Sequence, residues 1–394
     1  MPKKLRRGRG RNMFGRRKHG WVKVIGWILL IGLAGLAGVG VTALIKNMPE
    51  TPAQSDISAP AGSESSAPAG NESSEPDAPP AQSEPEPAPV PTATRAVFLP
   101  LAQLRDEVAR AARLDTLKEQ GYTAVIFDLK PADGTLHYAF SGEWATKAKT
   151  VAEDAMTAQE LAALLADCES RGMTAIPRLF AFEDSGAPGR LKSARINWAG
   201  DKTTLGLDAK VSNGGKPWLN PYSEDAHAYL LELATELKAA GVKALLFDGV
   251  RFPNNSYEAY FGTAEQTADT RAQVLTAFVG KLQAALGEET SLMLAMELSA
   301  ATAADTAVYG GNPLTFGADA VCPVIDAAAL NAHIDAVDTP VTPSAALTDV
   351  LSLIDTRLTF VNGEKPSVLP WLLPDVASLT AGFDSDTDHI VTVE

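Results

Sequence analysis

Eight short apolar runs alternate with helix-patterned segments between Arg95 and Glu394. The alternation predicts an α/β fold, a (β/α)8 TIM-like barrel, preceded by a transmembrane helix and a disordered linker. Three observations carry that prediction. The runs are continuously apolar, as strands buried on both faces are. Three junctions, Gly121-Tyr-Thr-Ala, Gly172-Met-Thr-Ala and Gly241-Val-Lys-Ala, each lead from a helix end into such a run, and glycine closes a helix there in the left-handed conformation. Acids gather where the runs stop, the end at which parallel barrels do their chemistry. A doubly wound sheet shares the alternation, but no Gly-x-Gly-x-x-Gly follows the first run, which weakens a dinucleotide-binding version.

The elements follow in order. Residues 1–23 are a basic tail with ten Lys/Arg and no acid, and Val24 to Ile45 is uncharged for 22 residues. About 20 apolar residues span a bilayer core as a helix. The basic cluster before it belongs on the cytoplasmic side, which places the C-terminal part outside the cell membrane. A cleaved signal peptide is the rival reading, with Val41-Thr42-Ala43 as the cleavage site. The run exceeds the usual length of about 7–15 residues for such peptides, which favours an uncleaved single-pass anchor. Ala34, Gly38 and Thr42 form a small-xxx-small face of the kind that pairs helices into a homodimer. From 46 to 94 the chain is Pro/Ala/Ser/Glu-rich, with eleven prolines, eight acids and no basic residue after Lys46. It lacks an apolar face to offset its ordering entropy and reads as an extended spacer.

The domain spans 95–394. Its first run is Ala96-Val97-Phe98-Leu99, followed by a helix from about Leu101 to Gln120. The second run, Thr123 to Lys130, precedes a helix that opens with the capping-box spacing of Thr157 and Glu160. Thr174 to Phe180 is the third, and its helix starts near Ser223 with Glu224 and Asp225 in the first turn. Ala244 to Asp248, Leu292 to Glu297, Ala320 to Ile325, Ser367 to Trp371 and Ile390 to Val393 complete the eight.

Charge narrows the function. The formal net charge is −14, yet the first 46 residues hold eleven of the 34 basic residues and none of the 48 acids. The part beyond the membrane is therefore strongly acidic and repels nucleic acid and other polyanions. Two cysteines, Cys168 and Cys322, sit in a helical and a strand pattern and read as buried apolar groups, not a disulfide framework. The histidines are scattered with no metal-ligand spacing, so no metal or other cofactor is expected. Asp384-Ser-Asp386-Thr-Asp388 resembles the start of a calcium loop, but His389 stands where the glycine belongs.

Asp128, Glu183, Asp184, Asp248, Glu297 and Asp326 lie at run ends. Asp248 and Glu297 close the fourth and fifth runs and should be neighbours. Paired carboxylates suffice for glycoside hydrolysis: one protonates the leaving oxygen, the other attacks the sugar or activates water. Arg251 is placed to hold Asp248 ionised or to clamp a substrate carboxylate. Asp128 and Lys130, two apart, share a face, with a salt bridge at the mouth as their ordinary fate. Arg178 reads as a partner for an acid or a substrate-binding cation. Trp144, Trp198, Trp218 and Trp371 fall near run ends or long loops, where an aromatic face stacks on sugar rings or is simply buried. Asp128, Lys130, Arg178, Arg251, Trp218, Asp326 and Trp371 are the candidate substrate-binding groups.

Several segments resemble a bacterial glycosyl hydrolase-like domain family with a TIM barrel, over most of 95–375. Val125-Ile-Phe-Asp-Leu-Lys-Pro-Ala-Asp-Gly134 is similar to its second-strand motif, and Ile176-Pro-Arg-Leu-Phe-Ala-Phe-Glu-Asp184 to its third. Trp218-Leu-Asn-Pro-Tyr222 resembles its "WxNP" element. Phe247-Asp-Gly-Val-Arg-Phe-Pro253 is similar to its "FDYxRFP" signature, and Leu369-Pro-Trp-Leu372 to its "RPWLQ" strand. The resemblance implies a glycan substrate, places Asp248 at the catalytic position and puts Glu297 near an acid of the fifth strand. Gly249 replaces the family's aromatic residue after the signature aspartate. Pro323-Val-Ile-Asp-Ala-Ala-Ala-Leu330 lacks the tyrosines and histidine of its sixth-strand motif, and Leu369 and Leu373 replace the arginine and glutamine of "RPWLQ". Two functions stay in play: an extracytoplasmic glycosidase of the cell envelope, and a non-catalytic glycan-binding or scaffold protein on the same fold.

Overall fold

The computed structural model describes residues 94–255, 258–336, 341–358, 365–384 and 387–392. The basic tail, the apolar span at 24–45 and the linker up to residue 93 lie outside the described residues, as do Ser385 and Asp386 of the calcium-loop resemblance. No helix among the described residues is long and apolar enough to cross a membrane.

Eight parallel strands close into a barrel. They are β1 (Arg95–Phe98), β2 (Ala124–Lys130), β3 (Thr174–Phe180), β4 (Ala244–Asp248), β5 (Ser291–Glu297), β6 (Ala320–Ile325), β7 in two pieces (Ser367–Val368 and Trp371–Leu372) and β8 (His389–Thr392). Each pairs with its neighbour in sequence, and β8 returns to β1 with Ala96 opposite Ile390. The strands alternate as a pleat requires. Ala96, Ala124, Ile176, Leu246, Ala295 and Cys322 face a core inside the barrel. Val97, Val125, Ala175, Leu245, Leu294 and Val321 face a second, larger core beneath the helices. Alanines dominate the lower lumen, where bulkier branched residues are usual. A cavity of about 500 Å³ therefore opens at the amino-terminal ends of the strands, among Thr94, Thr123, Ser291 and Asp319. It lies at the opposite end from the clustered acids.

The helices form where the sequence places their signals. The expected first helix breaks at Asp106, whose extended backbone separates Ala102–Arg105 from α1 (Glu107–Glu119) and whose carboxylate caps Ala109. Helix α2 (Ala158–Glu169) opens with the complete Thr157–Glu160 capping box. Ser223 caps α3 (Glu224–Ala239) through the amide of Ala226. Gly121, Gly172 and Gly241 sit at φ of 81°, 69° and 93°, the left-handed turns expected at the three junctions. Helices α4 (Ala268–Leu286), α5 (Ala327–Ala336) and α6 (Pro343–Arg357) complete the main helices. Between β5 and β6 the connection holds only the five-residue helix Leu298–Thr302 and the 3-10 turn Pro313–Thr315. Cys168 and Cys322 are free and buried. Burial pushes the Cys168 thiol up to about 12, so it stays protonated and inert.

Two loops at the carboxyl-terminal end of the barrel build a structure of their own. Asn197–Trp198, from the loop after β3, pairs antiparallel with Asp201–Leu205 and with Ala259–Tyr260 from the loop after β4. Helical and strand periodicities gave no sign of this small sheet, because its strands are too short to show one.

Candidate active site at the carboxyl-terminal mouth

Inward-facing positions along each strand recur every second residue. Two residues beyond Ile126, Ile176, Leu246 and Ala295, the next inward positions are Asp128, Arg178, Asp248 and Glu297. The upper lumen on strands β2 to β5 is therefore lined by charge, with the Phe180 ring, two residues past Arg178 and opposite Asp248 in register, beside it.

Arg178 organises one half of this layer. Cross-strand register sets it opposite Asp128. Its Nε and Nη2 donate to the two Asp128 oxygens at 2.6 and 3.0 Å, a bidentate pair. Its Nη1 donates to Oδ2 of Asp248 at 3.3 Å. The guanidinium carbon lies 4.8 Å from the ring centres of Phe98 and Phe180 and 4.9 Å from that of Trp371. Trp371 is itself 2 % exposed, with its indole N–H donated to Thr392. It serves as packing around Arg178 and offers little face to a ligand.

Asp248 accepts a 2.7 Å hydrogen bond at Oδ1 from the amide of Gly249. Gly249 itself adopts φ of 62°, in the left-handed region. A side chain there would meet Glu183 Cβ at 3.0 Å in addition to the backbone strain. Burial pushes the Asp248 carboxyl above the usual aspartate range, against the pull of Arg178 and the Gly249 amide, and nearby Glu183 and Glu297 push the same way. Its side chain keeps 19 % exposure, enough for a substrate atom to reach it.

Arg251 organises the other half, and it does not pair with Asp248 as its spacing suggested. Its Nη2 donates to Glu183 at 2.9 Å, and its Nε lies 3.1 Å from Glu297 Oε1. Nη1 donates to Asn254 at 2.8 Å. The guanidinium lies over buried Trp218, 5.0 Å from the ring centre, and the Trp218 indole N–H donates to Asp208. Glu297 is the most open of these acids, with 44 % of its side chain exposed. The buried hydroxyl of Tyr309 donates to its Oε2. Burial, and the adjacent Glu297 charge, push the Tyr309 hydroxyl well above the ordinary tyrosine range, so the phenol remains the donor.

Two expected substrate-binding residues sit elsewhere. Lys130 was read as sharing a face with Asp128, but a register shift between them sets Lys130 beside the outward Leu179. The bulge turns its side chain out of the lumen. It is wholly buried, 2.8 Å from Asp184 and donating to the carbonyl of Phe180. Asp184 in turn accepts the amides of Gly186 and Ala187. This pair fastens the loop after β3 and has no route to a ligand. Asp326 caps α5 by accepting the Ala329 amide at 2.6 Å. Reasoning from sequence named Glu183 among the acids but gave it no role. It missed Tyr309 altogether, which lies in irregular chain 12 residues beyond Glu297, where no periodicity marks it. Among the described residues no cluster of metal-binding side chains occurs.

A family model described as "Putative glycosyl hydrolase domain" matches residues 96–374. No curated protein matches the sequence. A hypothetical protein from Ruminiclostridium thermocellum aligns at 18 % identity over 50 % of this chain and 96 % of its own, with a TM-score of 0.42. A cycloisomaltooligosaccharide glucanotransferase from Paenibacillus sp. aligns at 13 % identity over 73 % of this chain and 39 % of its own, with a TM-score of 0.47. An exo-β-N-acetylglucosaminidase from Vibrio harveyi aligns at 13 % identity over 77 % of this chain and 50 % of its own, with a TM-score of 0.44. The chain thus covers half or less of the length of either enzyme.

Proposed function

This chain belongs to that glycosyl hydrolase domain family, and from that premise we propose that it hydrolyses glycosidic bonds of a polysaccharide or cell-envelope glycan, with Asp248 and Glu297 as the working carboxylates. The observation that carries this reading is their placement. They are the last inward-facing residues of adjacent strands, at the open end of a closed barrel.

In the proposed reaction the Asp248 carboxylate attacks the anomeric carbon or stabilises its positive charge. Glu297 gives its proton to the leaving glycosidic oxygen, then takes one from the water that completes hydrolysis. Arg178 and the Gly249 amide hold Asp248 ionised and aimed. Tyr309 and Arg251 fix the orientation of Glu297. On this reading Arg251 is a bracket between two acids, and the substrate meets the carboxylates it positions.

The domain order follows the same proposal. A basic cytoplasmic tail, a membrane anchor at 24–45 and an acidic, proline-rich spacer carry the barrel outside the membrane.

One observation favours a second reading, a glycan-binding protein without activity. Each carboxylate is engaged by an arginine, Asp248 by Arg178 and Glu297 by Arg251. Product analysis on a panel of polysaccharides and peptidoglycan separates the two. The hydrolase reading expects cleavage by the wild type, lowered at least about a thousandfold in Asp248→Asn and in Glu297→Gln. Binding without release of any product by the wild type establishes the second reading instead.

A further inference from the structure

Trp198 is the one exposed tryptophan among the described residues, with 39 % of its surface open. It is also held in place. Its indole N–H donates to the Glu258 carboxylate at 2.6 Å. The amide of Ala199 donates to the Glu258 carbonyl, so ring and backbone are tied to the same residue. Glu258 adopts φ of 45° to make both contacts, a conformation that costs a non-glycine residue about 1 kcal/mol or more.

Gly200 backs the ring. A Cβ on Gly200 would fall 2.5, 2.6 and 2.8 Å from Cζ2, Cη2 and Cε2 of the indole. Near-equal distances to three neighbouring ring atoms place the glycine over a face, not at the edge. One face of the indole is therefore closed by backbone, and the open area belongs to the other face and the rim. An aromatic ring fixed at its N–H, backed on one side and open on the other loses little conformational freedom on stacking.

The surroundings suit a sugar. Trp198 pairs with Asp201 across the hairpin. Asp201 is an exposed carboxylate oriented by the Thr203 amide and hydroxyl and the Thr204 hydroxyl. Exposed Lys202 lies 4.6 Å from the centre of the Tyr260 ring on the third strand. The hairpin joins the loops that leave β3 and β4, the strands of Arg178 and Asp248. The Ile196 amide, two residues before Trp198, bonds to the carbonyl of Trp218, the ring under Arg251.

We propose that Trp198 is the stacking platform of an outlying sugar subsite at the rim of the mouth. It takes the C–H face of one pyranose of an oligosaccharide, while Asp201 and Lys202 meet ring hydroxyls. The proposal rests on the glycan reading of the barrel and adds a position outside its carboxylates.

The test is titration calorimetry of the full chain in detergent with cellohexaose, maltohexaose, isomaltohexaose and chitohexaose. At least one binds the wild type, Trp198→Ala weakens it about tenfold or more, and Trp198→Phe keeps most of the affinity. In the wild type the Trp198 indole N–H resonance, assigned by its loss in Trp198→Phe, shifts on adding that hexasaccharide. This readout holds even if the alanine variant does not fold. Binding of none of the four, an unmoved resonance, or equal affinity in Trp198→Ala overturns the subsite. Wild-type binding through Trp198 with no cleavage overturns the hydrolase and keeps the subsite. Cleavage with an unchanged KM in Trp198→Ala does the reverse.

Discussion

Arg178 stands between Asp128 and Asp248 and sets what Asp248 can do. Burial raises the Asp248 pKa and the Arg178 charge lowers it, so removing that charge raises it further. If Asp248 must be ionised, Arg178→Gln moves the acid limb of the kcat/KM profile to higher pH, and Arg178→Lys moves it less. An acid limb that stays put in both variants shows that Asp248 does not titrate in the reaction. Lys130 makes the contrasting case. Its charge is paired with Asp184, with both side chains fully buried. Lys130→Met leaves a buried carboxylate without its counter-charge and costs about 3–5 kcal/mol. Urea unfolding measures that loss, and a variant as stable as wild type shows that the Lys130 charge is not needed to hold Asp184 in the core. The two basic residues look alike in sequence, each standing in the carboxyl-terminal half of an apolar barrel strand. A single bulge separates their fates.

Element ends were legible because their chemistry is local. Thr157 and Glu160 exchange hydrogen bonds as their spacing demands: the Thr157 amide donates to the Glu160 carboxylate at 2.7 Å, and the Thr157 hydroxyl accepts from the Glu160 amide at 3.2 Å. Thr157→Ala removes the cap and lowers stability by about 1 kcal/mol. A matched pair of denaturant curves checks it, with a shifted midpoint and unchanged slope as the expected result. The same local logic found the glycine turns before β2, β3 and β4. It could not find the break at Asp106, since apolar spacing runs on through it. Nor could it find the sheet shared by Asn197–Trp198 and Ala259–Tyr260, whose partners are about 60 residues apart and are joined only by folding.

At the scale of the whole chain, charge divides it into a basic start, an uncharged span and an acidic remainder. A helix of 22 residues reaches about 33 Å, enough for a bilayer core of about 30 Å. The wild type is expected to sediment with membranes and to lose its barrel to protease added outside the cell. Deleting residues 24–45 is expected to leave the protein soluble; recovery of the wild type in the cytosol sinks the anchored reading. By itself the sequence determined the eight strands, their parallel order and the acids at their ends, because burial on both faces and glycine-closed junctions leave marks within a few residues. Only the tertiary structure decided the partners. Arg178 rather than Arg251 serves Asp248, Lys130 leaves the mouth, and Tyr309 reaches Glu297. Each depends on register across strands or on the course of an irregular loop, and neither is written in the spacing of one strand.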